Sequence, residues 1–287
     1  MQYNVYWNSD YVASDYAFDT TRKSGELAVA IEASDSVANV VDPRGFTQQT
    51  EELIDKAHSA EYVKAVLGGT PASLAESQGF TWDSKVPTMA IAHSTGLVAG
   101  VTEVLSGSSR VAGSLSSGLH HARADRGAGF CTFNGLVVAS RAALDLGAER
   151  ILVLDLDAHC GGGTRSMTDP VSVVQIDVST VGFDSWTPTA NDALLMAGVD
   201  DYLYRVVEAL GLADAAGPFD LVLYNAGMDP ANSGVSSTDL KQREQMVAEW
   251  ADRHEYPLVF ALAGGYTTGI TMAELVDLHY LTVEAFG

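Results

Sequence analysis

Between Leu152 and Gly163 the chain reads Leu-Val-Leu-Asp-Leu-Asp-Ala-His-Cys-Gly-Gly-Gly, an apolar run that ends in Asp155, Asp157 and His159 and then breaks into glycine. In an extended chain, residues two apart point the same way. Asp157 and His159 then present a carboxylate and an imidazole to one point, with Asp155 one pleat back on the same side. A hard oxygen donor beside a borderline nitrogen donor suits zinc. The same residues also have a plainer reading, in which the two aspartates cap the following turn and His159 is a satisfied polar residue.

Chemistry at this point requires a strand to carry it. Ile151 to Leu154 is a continuous run of branched apolar residues, which suits a strand buried on both faces of a parallel sheet. Ligands in such sheets collect at the carboxyl ends of the strands. Further strands are predicted at 3–7, 110–115, 173–178, 220–224 and 257–261, with the strand of the motif itself at 151–156. Helices are predicted at 25–33, at 50–67 as two short pieces meeting near Ser59, and at 87–106, 134–146, 200–212, 238–253 and 270–286. A loop is expected from Ser116 to Ala128. Alternation of this kind argues for an α/β fold with three α/β/α layers and a mainly parallel sheet.

Composition bounds the setting. With 287 residues, 47% of them hydrophobic, the chain can bury one large core, and a single domain over 1–287 is expected. No repeat, low-complexity tract or linker stands out. No apolar run approaches the ~20 residues needed to span a bilayer, and the first ten residues lack a basic start and an apolar signal core. A cytoplasmic protein with no membrane partner is the expectation. Cys131 and Cys160, the two cysteines, are read as reduced thiols. The net charge of −21, from 37 acidic and 16 basic residues, repels a polyanion and argues against direct nucleic-acid binding. It would attract a cationic substrate, or serve solubility alone.

If the motif is half of a site, neighbouring strand ends should carry the other half. After Leu221-Val222-Leu223-Tyr224 comes Asn-Ala-Gly-Met-Asp229-Pro230, a second carboxylate on a glycine-containing loop. After Leu258-Val259-Phe260-Ala261 comes Leu-Ala-Gly264-Gly265-Tyr266, and after the strand near 110–115 comes Leu119-His120-His121-Ala122. Each has a bland alternative, since Asp229 before Pro230 suits a turn, Tyr266 suits a core and a histidine pair suits a surface. Their coincidence at successive strand ends favours a site.

The segment from His120 to Asn134, which includes Gly129-Phe130-Cys131, resembles the tandem-histidine and Gly-Phe-Cys motif of the histone deacetylase family. Leu154-Asp-Leu-Asp-Ala-His159 resembles its metal-binding strand and Gly264-Gly265-Tyr266 its catalytic tyrosine loop. His58-Ser-Ala-Glu-Tyr62 is similar to an early family signature. The resemblance implies an arginase/deacetylase-like fold and one zinc ion per chain held by Asp157, His159 and Asp229, with a fourth position open for water. It implies a metal that polarises an amide carbonyl and acidifies its water. It further implies His121 as general base, His120 oriented by Asp155 as its electrostatic support, and Tyr266 as donor to the oxyanion. Gly129 and Phe130 would line an acyl-lysine channel, Asp83 would hold substrate backbone at the rim, and a structural K⁺ would lie near Asp155, Asp157 and His159. The substrate would be an acylated amine such as acetyl-lysine, an acetylpolyamine or a small biosynthetic amide. Oligomeric state stays open.

The chain also departs from the family pattern. The family follows its ligand histidine with a second histidine and then an aspartate or asparagine that contacts the second member of the tandem pair, and here those places are Cys160 and Gly162. His121 is therefore expected to lack its usual partner, and Cys160 is read as a small buried residue in preference to a stray thiolate ligand. The region 180–200 lacks much of the loop that carries a second channel aromatic, a role left to Phe183. The related arginase chemistry uses two manganese ions and needs further carboxylates where this chain has Gly161, Ala226 and Gly227, which disfavours a binuclear site. A non-catalytic acyl-amine binding protein on the same scaffold is the remaining alternative, and Tyr266 with the histidine pair weighs against it.

Overall fold

Short runs rich in branched residues form the strands, and the computed structural model describes them within residues 2–15, 18–34, 38–117 and 119–287. In chain order the strands are β1 (Tyr3–Tyr6), β2 (Ala38–Val41), β3 (Val111–Ser114), β4 (Ile151–Asp155), β5 (Val173–Ser179), β6 (Ala193–Met196), β7 (Leu221–Asn225) and β8 (Leu258–Ala261). They make one sheet in the order β2-β1-β3-β8-β7-β4-β5-β6, with every neighbouring pair parallel. The helices are α1 (Asp19–Ala33), α2 (Thr47–Ala57), α3 (Ala60–Gly68), α4 (Ala72–Ala75), α5 (Val86–Leu105), α6 (Gly135–Asp145), α7 (Gly162–Met167), α8 (Tyr202–Ala216), α9 (Ser237–Arg253) and α10 (Met272–Ala285). Gly118, inside the expected loop 116–128, lies outside the described residues.

Strand alternation divides the core in two. Leu152 and Leu154 of β4 face a cluster with Ile176, Tyr224, Leu240 and Trp250, whereas Ile151 and Val153 face Leu97, Val101, Leu136 and Leu223 on the other side. Each fully buried side chain of this size stabilises the fold by roughly 1.5–3 kcal/mol relative to leaving it exposed. These two faces are what hold β4, β7 and β8 at fixed spacing, and so fix the loops that leave their carboxyl ends.

The structure revises the sequence expectations in the edge strands, the short helices, the end of β4 and α5. The edge strands β2 and β6 were not expected, nor were the short α4 and α7. β6, Ala-Leu-Leu-Met, is apolar throughout but short, with three half-buried residues and an exposed Met196, as suits an edge strand. Strand β4 stops at Asp155, so Asp157 and His159 lie in the loop beyond it and not on a pleat. Contrary to the expectation that no apolar run is long enough to span a bilayer, α5 meets that length and composition, yet 72% of its apolar window is buried inside the protein. It is a core helix packed on α6 and β3.

Two buried histidines pin the segment that leads to the site. His93 on α5 accepts the N–H of Ser117 at its Nδ1 (2.9 Å) and donates from Nε2 to the Tyr11 carbonyl (3.0 Å). His58, just after α2, accepts the N–H of Asn134 at Nε2 (3.1 Å) and donates from Nδ1 to the Arg123 carbonyl (2.9 Å). Each bond pattern needs a neutral ring with one acceptor nitrogen. Burial depresses both imidazoles to about 4.

A histidine depressed in the fold takes up its proton in the unfolded chain first, near 6.5. The unfolded state then binds more protons between about 6.5 and 4, so the stabilisation is complete above that window and is lost as pH falls through it. Chelator-treated protein should lose on the order of 3 kcal/mol per histidine over this range. Urea unfolding at pH 7.5 and 4.5 should show a smaller difference for His93→Phe than for the native chain.

Candidate functional site

The loop after β4 folds back on its own aspartates. The N–H of Asp157 donates to Asp155 Oδ1 (3.1 Å) and the N–H of His159 to Asp157 Oδ1 (2.9 Å), the local side-chain-to-backbone pattern that aspartate favours in turns. This places His159 Nδ1 at 3.1 Å from Asp157 Oδ1 and 3.0 Å from Asp229 Oδ2. Asp229 opens a 3₁₀ turn, Asp229–Ser233, beyond β7, and its other oxygen accepts the N–H of Ala158 (3.0 Å). One donor atom each from Asp157, His159 and Asp229 lie within 4.8 Å of one another.

These three residues fit a zinc ion in donor type and in shape. Carboxylate oxygen and imidazole nitrogen are both zinc donors, and three protein ligands leave the open position that a catalytic site needs. A Cβ on Gly264 would stand 2.5 Å from Asp229 Oδ1 and 2.7 Å from Asp157 Oδ2, so only glycine leaves that space. The electrostatics point the same way. Burial disfavours charge on His159, yet its bonds to Asp157 and Asp229 outweigh it and lift the ring to about 10. Burial and then the neighbouring Asp157 raise Asp229 above the ordinary carboxylate range. Such a crowd of negative charge invites a cation.

The tandem histidines are held differently from each other. His120 Nδ1 donates to Asp155 Oδ2 (2.7 Å), and Asp155 Oδ1 also accepts Asn225 Nδ2 (2.8 Å). Burial works against charge on His120, but Asp155 and then Asp157 outweigh it and raise the ring to about 10. His121 lies beside it with ring centroids 3.9 Å apart. Burial and then the adjacent His120 depress His121 to about 4.

His121 does have a carboxylate partner, contrary to the expectation from Cys160 and Gly162. Its Nδ1 lies 3.0 Å from Asp184 Oδ2, on the loop between β5 and β6. Asp184 also accepts the N–H of Gly163 (2.8 Å) and is paired with Arg123. Its backbone has φ 58°, a left-handed conformation that aspartate tolerates better than most residues. A Cβ on Gly162 would meet the Asp184 carbonyl oxygen at 2.2 Å. The missing acid at 162 and the acid at 184 are thus two parts of one arrangement. Cys160 is buried, and its N–H donates to the Phe183 carbonyl (3.0 Å), which ties down the same loop.

The remaining candidates divide. Gly129, Phe130 and Tyr266 line a small cavity whose walls also include His120, His121 and the three candidate ligands. Phe183 stands edge-on to His121 and His159, with centroids 4.9 and 6.0 Å away. Asp83 is not in that wall, and its oxygens accept from Ser14 Oγ and the N–H groups of Asp15, Lys85 and Val86. The tyrosine loop is secured by groups that sequence inspection passed over. Asn232 bonds both the N–H and the carbonyl of Tyr266 (3.2 Å each), while Thr20 Oγ1 and the buried Lys23 Nζ donate to the Gly264 carbonyl at 2.6 and 2.7 Å. Burial lowers Lys23 to about 7, against the pull of Asp229 and Asp157. Burial, then Asp229 and Asp157, push the Tyr266 phenol above its ordinary range.

The chain is similar to known proteins in sequence and in fold. The model of the histone deacetylase domain matches residues 20–283. An uncharacterised protein of Picosynechococcus is 31% identical over 245 residues, 81% of this chain and 80% of that one. Histone deacetylase 2 of Arabidopsis thaliana is 30% identical over 167 residues, 53% of this chain and 43% of its own length. Acetylpolyamine amidohydrolase 2 of Pseudomonas aeruginosa is 48% identical over 48 residues, 17% of this chain and 14% of its own. In fold the chain is similar to the crystal structure of the HDA15 HD domain, with TM-score 0.81 at 19% identity over 100% of this chain and 90% of that one. It is similar also to acetylpolyamine aminohydrolase from Burkholderia pseudomallei, with TM-score 0.78 at 17% identity over 99% and 98%.

Zinc titrated into chelator-stripped protein should saturate at one ion per chain. His159→Ala and Asp229→Asn should each weaken binding more than the roughly 10–100-fold typical of losing a supporting group, while Asp83→Asn should leave it unchanged. Two tightly bound ions per chain would contradict a mononuclear centre.

Proposed function

The chain belongs to the histone deacetylase domain family, a family of hydrolytic deacetylases, and on that premise we propose that it is a zinc-dependent amidohydrolase acting over 1–287 as one catalytic domain. It removes an acyl group, chiefly acetyl, from an amine. The observation that carries this reading is the convergence of Asp157, His159 and Asp229 on one point in the wall of a cavity shared with His121 and Tyr266. Held by those three residues, zinc would polarise the scissile carbonyl and make water acidic near neutral pH.

The chain's own groups do the rest. Asp184 keeps a proton on His121 Nδ1, so Nε2 is left as the acceptor. A ring depressed to about 4 is neutral at pH 7, and His121 can take the proton of the attacking water and pass it to the leaving amine. His120, raised to about 10 by its aspartates, stays charged and offsets the negative charge that develops. Tyr266 keeps its proton and donates it in a hydrogen bond to the tetrahedral oxyanion. Phe130 and Phe183 wall the acyl-amine stem and exclude water. Asp83 serves as a rim contact only if substrate displaces one of its internal donors.

A structural K⁺ near Asp155, Asp157 and His159 belongs to the same proposal. Ser179 Oγ is buried with no hydrogen-bond partner among the described residues beyond a soft contact with the Cys160 thiol. Asp177 lies in register with Asp155, and burial, then Asp155, raise it to about 7. An unclaimed oxygen beside paired buried carboxylates suits a monovalent cation.

For the substrate, acetyl-lysine or an acetylpolyamine agrees with the net charge of −21 and with the names of two relatives, and the cytoplasm is its setting. Turnover should be measured on a panel of acetyl-lysine peptide, acetylated polyamines and small acetylated amines with zinc present. Tyr266→Phe should lower kcat by about 10²–10³ with little change in KM. Asp184→Asn should lower kcat by up to ~10⁴, the scale seen when a histidine base loses its orienting carboxylate. A zinc-loaded protein that hydrolyses no member of the panel would favour an acyl-amine binding role instead.

A further inference from the structure

Helix α9 carries Arg243 and Glu244, both with 0% side-chain exposure and neither in the cavity wall. Burying an ion pair is expensive, and the pair's attraction offsets that cost only where further hydrogen bonds satisfy its remaining groups. Here the guanidinium reaches the backbone of both loops that bear the candidate ligands. Nη1 donates to the Gly227 carbonyl (2.7 Å) and the Leu156 carbonyl (3.2 Å), with Tyr202 Oη as a third acceptor (3.0 Å). Leu156 directly precedes Asp157, and Gly227 stands two residues before Asp229. Nη2 also contacts Met228 Sδ (3.4 Å). The remaining N–H groups bond Glu244, whose carboxylate accepts Tyr224 Oη at 2.9 and 3.1 Å.

We infer that Arg243 is a positioning residue for the metal centre, a clamp that sets the separation of Asp157 and Asp229 by holding one peptide carbonyl from each loop. The two loops already touch, since a Cβ on Gly227 would meet Asp157 Cα at 2.4 Å. Contact limits how closely they approach; the Ala158 N–H bond to Asp229 and the shared Arg243 nitrogen together resist their moving apart. Glu244 neutralises the guanidinium, so its part is to make burial of the clamp tolerable, and the effect on the ligands is geometric. Supporting groups of this kind typically govern metal affinity by 10–100-fold.

The inference rests on the zinc reading, and the test separates the two. Zinc affinity of chelator-stripped protein is measured by competition with a chromophoric chelator, and the visible spectrum of the Co²⁺-loaded protein reports ligand geometry. Arg243→Met/Glu244→Gln removes the clamp without stranding a buried charge and keeps an acceptor for Tyr224. It should fold by circular dichroism, bind zinc 10–100-fold more weakly and give an altered Co²⁺ spectrum. Arg243→Lys, which keeps the charge but cannot hold two carbonyls in the same geometry, should fall between it and the native chain. Folded variants with native affinity and spectrum would overturn the clamp, and loss of folding in both Arg243 variants would overturn it in favour of a purely structural role. A native chain that binds no zinc would instead sink the metal reading.

Discussion

Three carboxylates taken out of water at adjacent strand ends are the constraint around which the rest is arranged. Asp155, Asp157 and Asp229 are each no more than 2% exposed, in a protein that already carries a net charge of −21. A buried ion that lacks partners is far too costly to keep, so every oxygen must be answered. Backbone N–H groups of the β4 loop answer some, Asn225 and His120 answer others, and His159 bridges Asp157 and Asp229. What these partners leave uncancelled is negative charge focused on a point in a small cavity, which is where a cation gains most.

Glycine and the far-reaching side chains follow from that crowding. Side-chain space beside Asp157 and Asp229 is missing at Gly227 and Gly264 because the carboxylates and the Asp157 backbone fill it. Loops that close need ties from outside, and these come from Arg243 on α9, Lys23 and Thr20 on α1, and Asn232 in the Asp229 turn. The two histidines divide by their own surroundings. Asp155 keeps His120 charged, and that charge then helps hold His121 neutral. One ring can support developing charge while its neighbour carries the proton.

The central sheet and the candidate ligands could be read from the residues because both arise locally. A buried parallel strand is a continuous apolar run, and the chemistry sits just beyond it, as with Leu221–Asn225 and Asp229. The edge strands were missed for different reasons: Ala38–Val41 is broken by Asn39, and Ala193–Met196 is apolar but only four residues long with no buried position. The partner of His121 was hidden for a different reason. Asp184 is 63 residues away in sequence and reaches the ring through a left-handed backbone turn, so no spacing rule connects them. The absent acid at Gly162 was the visible half of that exchange. Arg243 and Lys23 were passed over because a basic residue on a helix is ordinarily a solvated one, and only packing shows that these two are buried.

X-ray absorption at the zinc edge of the loaded protein examines the ligand set most directly. Only nitrogen and oxygen neighbours at about 2.0–2.2 Å should appear, with the outer-shell scattering of a single imidazole. A zinc–sulfur distance near ~2.3 Å, from Cys131 or Cys160, or the scattering of a second histidine, would contradict a centre built from Asp157, His159 and Asp229.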